Sequence, residues 1–155
     1  FLSLKVSMHC QNPACLNAKN KIEQWMAEAW AKDFKGEVSF ASPILGWAGT
    51  ADLVVHGKTD MVADYKTTTL ANLKTPYEEW GLQLACYRKG LGLPADASLV
   101  SIAIDQESGD VKFFKWGTLA TPKSKSPLRT PVSLTEEWEL WHRIWILRNY
   151  DPRVY

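Results

Sequence analysis

The apolar run Met61–Thr67 carries an acid and a base two residues apart, Asp64 and Lys66, and no other feature constrains the chain as tightly. The run has the length and composition of a strand, whose period-two alternation sets Asp64 and Lys66 on one face and Ala63 and Tyr65 on the other. Charge on a buried strand is costly unless it is paired or bound to an ion. This Asp-x-Lys therefore needs either a partner or a function.

The surrounding pattern predicts an alternation of helices and strands. Asn12-Pro13 reads as an N-cap followed by proline at the first helical position, and Leu16, Ile22, Trp25, Met26 and Ala29 keep helical spacing to Trp30. Glu37–Ala41, Trp47–Val55 and Met61–Thr67 read as three consecutive strands in a meander. A second helix is expected from Pro76 to Gly90, capped by Thr75 with Glu78 completing a capping box, and with Trp80, Leu84, Tyr87 and Leu91 as its packing stripe. Ala97–Ile104 and Val111–Trp116 predict a hairpin turning at Glu107–Asp110. Gly117–Pro131 reads as an exposed loop. Ser133 and Glu136 predict a capped last helix to about Arg148, with Trp138, Trp141, Ile144 and Trp145 on its apolar face. The predicted fold is α/β, a mixed sheet flanked by helices. Its 155 residues suit one domain spanning 1–155, with Phe1 in place of Met admitting a fragment at the N-terminus.

Composition narrows the setting. A net charge of +1 gives no overall basic field, so any contact with DNA has to come from a local patch. Three cysteines, Cys10, Cys15 and Cys86, form no Cys-x-x-Cys pair and leave an odd count, against both a disulfide framework and a closed zinc site. With no apolar run of membrane-spanning length and no signal-peptide pattern, an intracellular location and no membrane partner are expected.

Asp52 lies in the neighbouring predicted strand, and alternation gives Thr50, Asp52 and Val54 a common face, so Asp52 can approach Asp64 across the sheet. Two adjacent carboxylates repel unless a cation separates them, and a hard divalent ion such as Mg2+ or Mn2+ satisfies both with few protein ligands. Glu37, one strand earlier, is a further candidate ligand. From Val111 to Thr135 there is no acid, while Lys112, Lys115, Lys123, Lys125 and Arg129 occur, a stretch able to follow a phosphate backbone.

In this order the motifs resemble the PD-(D/E)XK nuclease superfamily, and within it the RecB-like, phage-type exonuclease branch. Glu37 with Gly49-Thr50-Ala51-Asp52 looks like the acidic strand and Gly-x-x-Asp of that branch. Asp64-Tyr65-Lys66-Thr67 is similar to its Asp-x-Lys-Thr, and Gln83-Leu84-Ala85-Cys86-Tyr87 to its Gln-x-x-x-Tyr helix; Trp141–Pro152 resembles the tails of phage-type relatives. The resemblance implies a restriction-endonuclease-like core and metal-dependent hydrolysis of DNA from its ends. Asp52 and Asp64 would hold Mg2+ or Mn2+, with the Tyr65 carbonyl and Glu37 as accessory ligands. Lys66 would orient the attacking water or stabilise charge on the phosphate, and Gln83 and Tyr87 would support the site or the substrate strand. Lys123, Lys125 and Arg129 would contact DNA. Relatives often carry a metal-binding histidine inside the first helix; here His9 precedes Pro13 and so lies outside it. Three cysteines do not make the four-cysteine iron–sulfur site of some relatives.

Other readings stand beside these. Asp64 and Lys66 could form a structural ion pair at a sheet end, Asp52 could close a turn, and Glu37 could be an ordinary exposed strand residue. Gln83 and Tyr87 could be helix surface and core, and the lysine-rich stretch a solvated loop. At the level of function the rivals are an endonuclease of the same superfamily, of restriction or junction-resolving type, and a nucleic-acid-binding module without turnover.

Overall fold

The computed structural model describes residues 12–29, 33–149 and 153. Helix α1 (Pro13–Glu28) precedes strands β1 (Asp33–Ser42), β2 (Trp47–His56) and β3 (Met61–Thr68). Helix α2 (Glu78–Gly90), strands β4 (Ser98–Asp105) and β5 (Val111–Lys115), and helix α3 (Pro131–Asn149) complete the order. Trp30, His9 and Cys10, and Tyr150 to Pro152 of the expected tail, lie outside the described residues. Among those described, no helix is long and apolar enough to cross a membrane.

The five strands form one mixed sheet in sequence order. β3 and β4 run parallel, and the other neighbours are antiparallel. The parallel pair follows from its connection, because α2 carries the chain from the end of β3 back to the start of β4, as a parallel crossover requires. β4 is buried throughout Ser98–Ala103. Its Val100 and Ile102 pack with Ile22 and Met26 of α1, while Leu99 packs with Leu84 of α2 and Leu134 of α3. Helices thus cover both faces of the sheet, which is why β4 reads as a near-continuous apolar run.

The helix starts show what local chemistry decides. Asn12 caps α1 as expected, its Oδ1 accepting from the Ala14 N–H at 2.9 Å with Pro13 at the first turn. The two predicted capping boxes do not form. α2 begins at Glu78 after Tyr77, whose ψ of 139° is still extended, because the preceding Pro76 is buried and holds the chain against the body of the protein. α3 begins at Pro131, and the Thr130 Oγ1 accepts from the Ser133 N–H at 3.2 Å. Thr130-Pro131 thus repeats the Asn12-Pro13 signal.

The inner face of α3 also differs from expectation. Leu134, Thr135, Trp138 and His142 turn inward, with Trp138 and His142 against Trp47 at ring separations of 5.8 and 4.9 Å. Trp141 and Trp145 are 57% and 60% exposed. The inward spacing 134, 138, 142 is the i, i+4 row that meets α2 and the β1–β2 ribbon, and Trp141 falls off that row.

The β1–β2 ribbon carries a change of face that positions the site. Phe34 of β1 and Leu53 and Val55 of β2 pack on the α1 side, whereas Val38, Phe40, Ala51 and Val54 pack on the α2 side. Alternation breaks in both strands at one level, where Glu37 stands opposite Asp52 and takes a φ of 52°. Thr50, Asp52 and Val54 therefore do not share a face: the left-handed residue across from Asp52 turns the ribbon over.

Candidate active site

β2 pairs with β3 only over Val55–Leu53 against Met61–Ala63. Beyond that point the β1–β2 ribbon leaves the sheet, and the next backbone donor of β3 finds a side chain in place of a strand: the Tyr65 N–H donates to Asp52 Oδ2 at 2.9 Å. The split between the strands is thus closed by a carboxylate. Asp52 reaches the Asp64 level by this bond, by a route that simple face-sharing along β2 does not provide.

Asp64 occupies the α2 face of β3 and is 4% exposed. Alternation along β3 is as read from the sequence, with Ala63 and Tyr65 packed on the opposite side. The Lys66 ammonium lies 2.5 Å from Asp64 Oδ2 and donates to Gln83 Oε1 at 2.6 Å. The Gln83 Nε2 in turn donates to the Tyr87 hydroxyl at 2.5 Å. Burial pushes the Asp64 carboxyl up to about 6; the Asp52 carboxylate beside it pushes the same way, and Lys66 opposes both. The Tyr65 and Tyr87 hydroxyls are also driven up, by burial first and then by the two aspartates. The site is a place where negative charge is crowded and poorly solvated, with one ammonium to relieve it.

The structure therefore brings together Asp52, Asp64, Tyr65, Lys66, Gln83 and Tyr87. Glu37 is exposed on β1 opposite Asp52. No group of three or more acidic, histidine or cysteine side chains is gathered as a metal cage among the described residues. Two carboxylates suit Mg2+ or Mn2+ nevertheless, since the smaller ion is held by one or two carboxylates plus water and substrate oxygens. The donor set, hard anionic oxygens in mutual repulsion, fits such an ion.

The basic stretch divides. Lys123 and Lys125 are exposed on the loop before α3. Lys112 donates to the Leu73 carbonyl at 2.9 Å, so its charge is partly spent on a short 3-10 turn after β3. Arg129 pairs closely with Glu137 and lies 3.6 Å from Glu78, so α2 and α3 already neutralise it. Gly49, part of the Gly-x-x-Asp pattern in the sequence, packs against Tyr87 of α2, a role set by tertiary contact that no local pattern marks.

No protein-family model matches the chain, and no curated protein matches it by sequence. A Eubacterium rectale protein called a "putative exonuclease" superposes with a TM-score of 0.53 at 12% identity, over 87% of this chain and 51% of its own. The crystal structure of SSO0001 superposes with a TM-score of 0.42 at 13% identity, over 88% of this chain and 59% of its own. The chain thus spans between half and three fifths of the length of these solved proteins. The likeness to the Eubacterium rectale protein, together with the sheet order and flanking helices, gives the fold: α/β with a mixed five-stranded sheet, a restriction-endonuclease-like core.

Proposed function

We propose that this chain is a metal-dependent deoxyribonuclease of the PD-(D/E)XK type that removes nucleotides from DNA ends. The observation that carries the reading is the meeting of Asp52 and Asp64 at the split between β2 and β3, with the Lys66 ammonium 2.5 Å from Asp64. An isolated Asp–Lys pair would serve as a structural ion bridge. A second carboxylate pressed against the first destabilises the apo site and has no structural use that the Tyr65 N–H could not meet with a neutral acceptor. The name of the Eubacterium rectale relative supports nuclease chemistry in the same coarse sense.

In this reading Asp52 and Asp64 would hold Mg2+ or Mn2+, with the Tyr65 carbonyl and Glu37 as accessory donors. When bound, the ion lowers the pKa of a coordinated water and polarises a phosphoryl oxygen. The protein's own groups do the rest. Lys66 presents positive charge to oxygens that become more negative as the phosphodiester is attacked, inside a half-buried site where that charge counts for more than in water. Lys123 and Lys125 meet backbone phosphates of the incoming strand, and Arg129 contributes less because Glu137 and Glu78 share its charge.

The test uses linear and covalently closed circular DNA, single-stranded and duplex, at matched concentration with Mg2+ or Mn2+. Mononucleotides or short oligomers are expected from linear DNA only, with activity lost on chelation. Nicking of closed circles would transfer the site to the endonuclease reading. Undiminished cleavage after exhaustive chelation would overturn the metal assignment.

A further inference from the structure

Tyr87 was a candidate for contact with the substrate strand, but the residue is only 9% exposed and its surroundings point elsewhere. A lysine ammonium can only donate, so the Gln83 group 2.6 Å from Lys66 is the amide oxygen, and the amide NH2 must find an acceptor of its own. It finds the Tyr87 hydroxyl at 2.5 Å. The hydroxyl thereby fixes which way round the Gln83 amide sits, and the amide fixes Lys66 from the side opposite Asp64.

The ring of Tyr87 is itself held by the β1–β2 ribbon. Phe40 lies edge-on to it with ring centroids 6.0 Å apart. A Cβ on Gly49 would come within 2.8 Å of Tyr87 Cε1, the ring carbon next to the one bearing the hydroxyl, and 3.2 Å from Phe40. Phe40 in turn lies so close over Gly90 of α2 that a Cβ there would be 2.0 Å from its ring. Two glycines, one on the ribbon and one on the helix, thus allow two aromatic rings to lock ribbon to helix. Gly49 stands three residues before Asp52, so the ribbon that delivers Asp52 also seats Tyr87.

We propose that Tyr87, seated by Gly49 and Phe40, is a positioning residue that acts through the Gln83 amide to hold Lys66 in register with Asp52 and Asp64, and that it does not touch the substrate. The inference rests on the nuclease reading of the site. It makes Gly49 a positioning residue as well: the glycine is needed because a methyl group there would push the Tyr87 ring edge, and the hydroxyl with it, away from Gln83.

The experiment compares Tyr87→Phe, Gly49→Ala and the double variant. Tyr87→Phe keeps the ring and loses only the acceptor. Both single variants should lower kcat roughly tenfold, the scale of one lost hydrogen bond at a site of this kind, with KM unchanged. Affinity for a short oligonucleotide in Ca2+, which is expected to support binding without turnover, should also be unchanged. The double variant should be no worse than the poorer single one, since both break the same link. Crystal structures of the variants should show the Gln83–Lys66 contact lengthened beyond hydrogen-bonding distance. A raised KM with kcat intact would return Tyr87 to the substrate strand and overturn the inference. So would additive losses, or a Gln83–Lys66 contact unchanged in Tyr87→Phe. If Gly49→Ala fails to fold, Tyr87→Phe paired with Gln83→Met gives the same cycle. A wild-type protein inert on all DNA would defeat the nuclease reading, and the variant structures would still decide the positioning.

Discussion

Asp64→Asn is expected to stabilise the metal-free protein at neutral pH while abolishing cleavage. Asp64 is 4% exposed, and its carboxyl is raised from 3.8 to about 6, by burial first and then by Asp52. For an acid raised in this way, the folded state keeps a proton that the unfolded chain has already released. The contribution to stability is therefore whole below 3.8, falls as pH rises through the window from 3.8 to about 6, and is gone above it. At 1.36 kcal/mol per pH unit, that window corresponds to on the order of 3 kcal/mol between the ionised and neutral side chain. Asparagine removes the charge and with it the ionic partner of Lys66, whose side chain is 21% exposed and keeps Gln83. The net gain at pH 7.5 is therefore set at about 1–2 kcal/mol, or about 3–6 °C in Tm for a chain of this size. Thermal melting of both proteins in chelator from pH 4.5 to 8 measures it: the advantage of Asp64→Asn over wild type should grow as pH rises through the window and level off above it, while the carboxylates held low elsewhere, Asp105, Asp110 and Glu137, act alike in both. Adding Mn2+ should restore wild type alone. An asparagine variant that is less stable at pH 7.5, with the wild-type pH slope, would refute the claim that Asp64 is strained by burial and by Asp52.

Lys66→Ala should abolish cleavage yet leave Mn2+ affinity by titration calorimetry near wild type, whereas Asp64→Asn should lose both; equal loss of affinity in the two would make Lys66 structural. Glu37→Gln should lower nuclease activity if the carboxylate serves as an accessory ligand. Glu37→Gly should hold stability within about 1 kcal/mol by chemical denaturation, because a φ of 52° suits glycine. Gly90→Ala should destabilise by about 1–3 kcal/mol in the same assay, since its Cβ would lie 2.0 Å from the Phe40 ring.

Much of the site was legible because it depends on a period of two in one short strand. Once Met61–Thr67 is read as a strand, Asp64 and Lys66 share a face whatever the rest of the chain does, and the structure puts them 2.5 Å apart. The Gln83–Tyr87 pair was legible for the same reason at helical spacing, and it bonds at 2.5 Å. Features that depend on where another element ends were not legible. Arg129 looks like a free cation until α2 brings Glu78 and α3 brings Glu137 beside it. Trp141 looks like a core residue until Trp47 selects the row through Trp138 and His142.

Asp52 shows the limit most clearly. Strand alternation gave it a route to Asp64, and the two do meet, but by another route. Faces alternate only where every residue of the ribbon keeps extended backbone, and Glu37 does not. No composition rule marks a glutamate as the residue that will enter the left-handed region, because its cost there, about 1–2 kcal/mol, is met by contacts that exist only once the sheet has formed. Gly36 beside it is the residue that ordinary turn chemistry would have chosen. That the departure falls on Glu37, opposite Asp52 and at the level where β2 leaves β3, ties the backbone irregularity to the site. The β2–β3 ladder stops at Leu53 opposite Ala63, and beyond it the Tyr65 N–H meets the Asp52 carboxylate where a continued ladder would offer a strand carbonyl. The left-handed residue at Glu37, the end of the β2–β3 ladder and the second carboxylate beside Asp64 therefore coincide at one level of the fold.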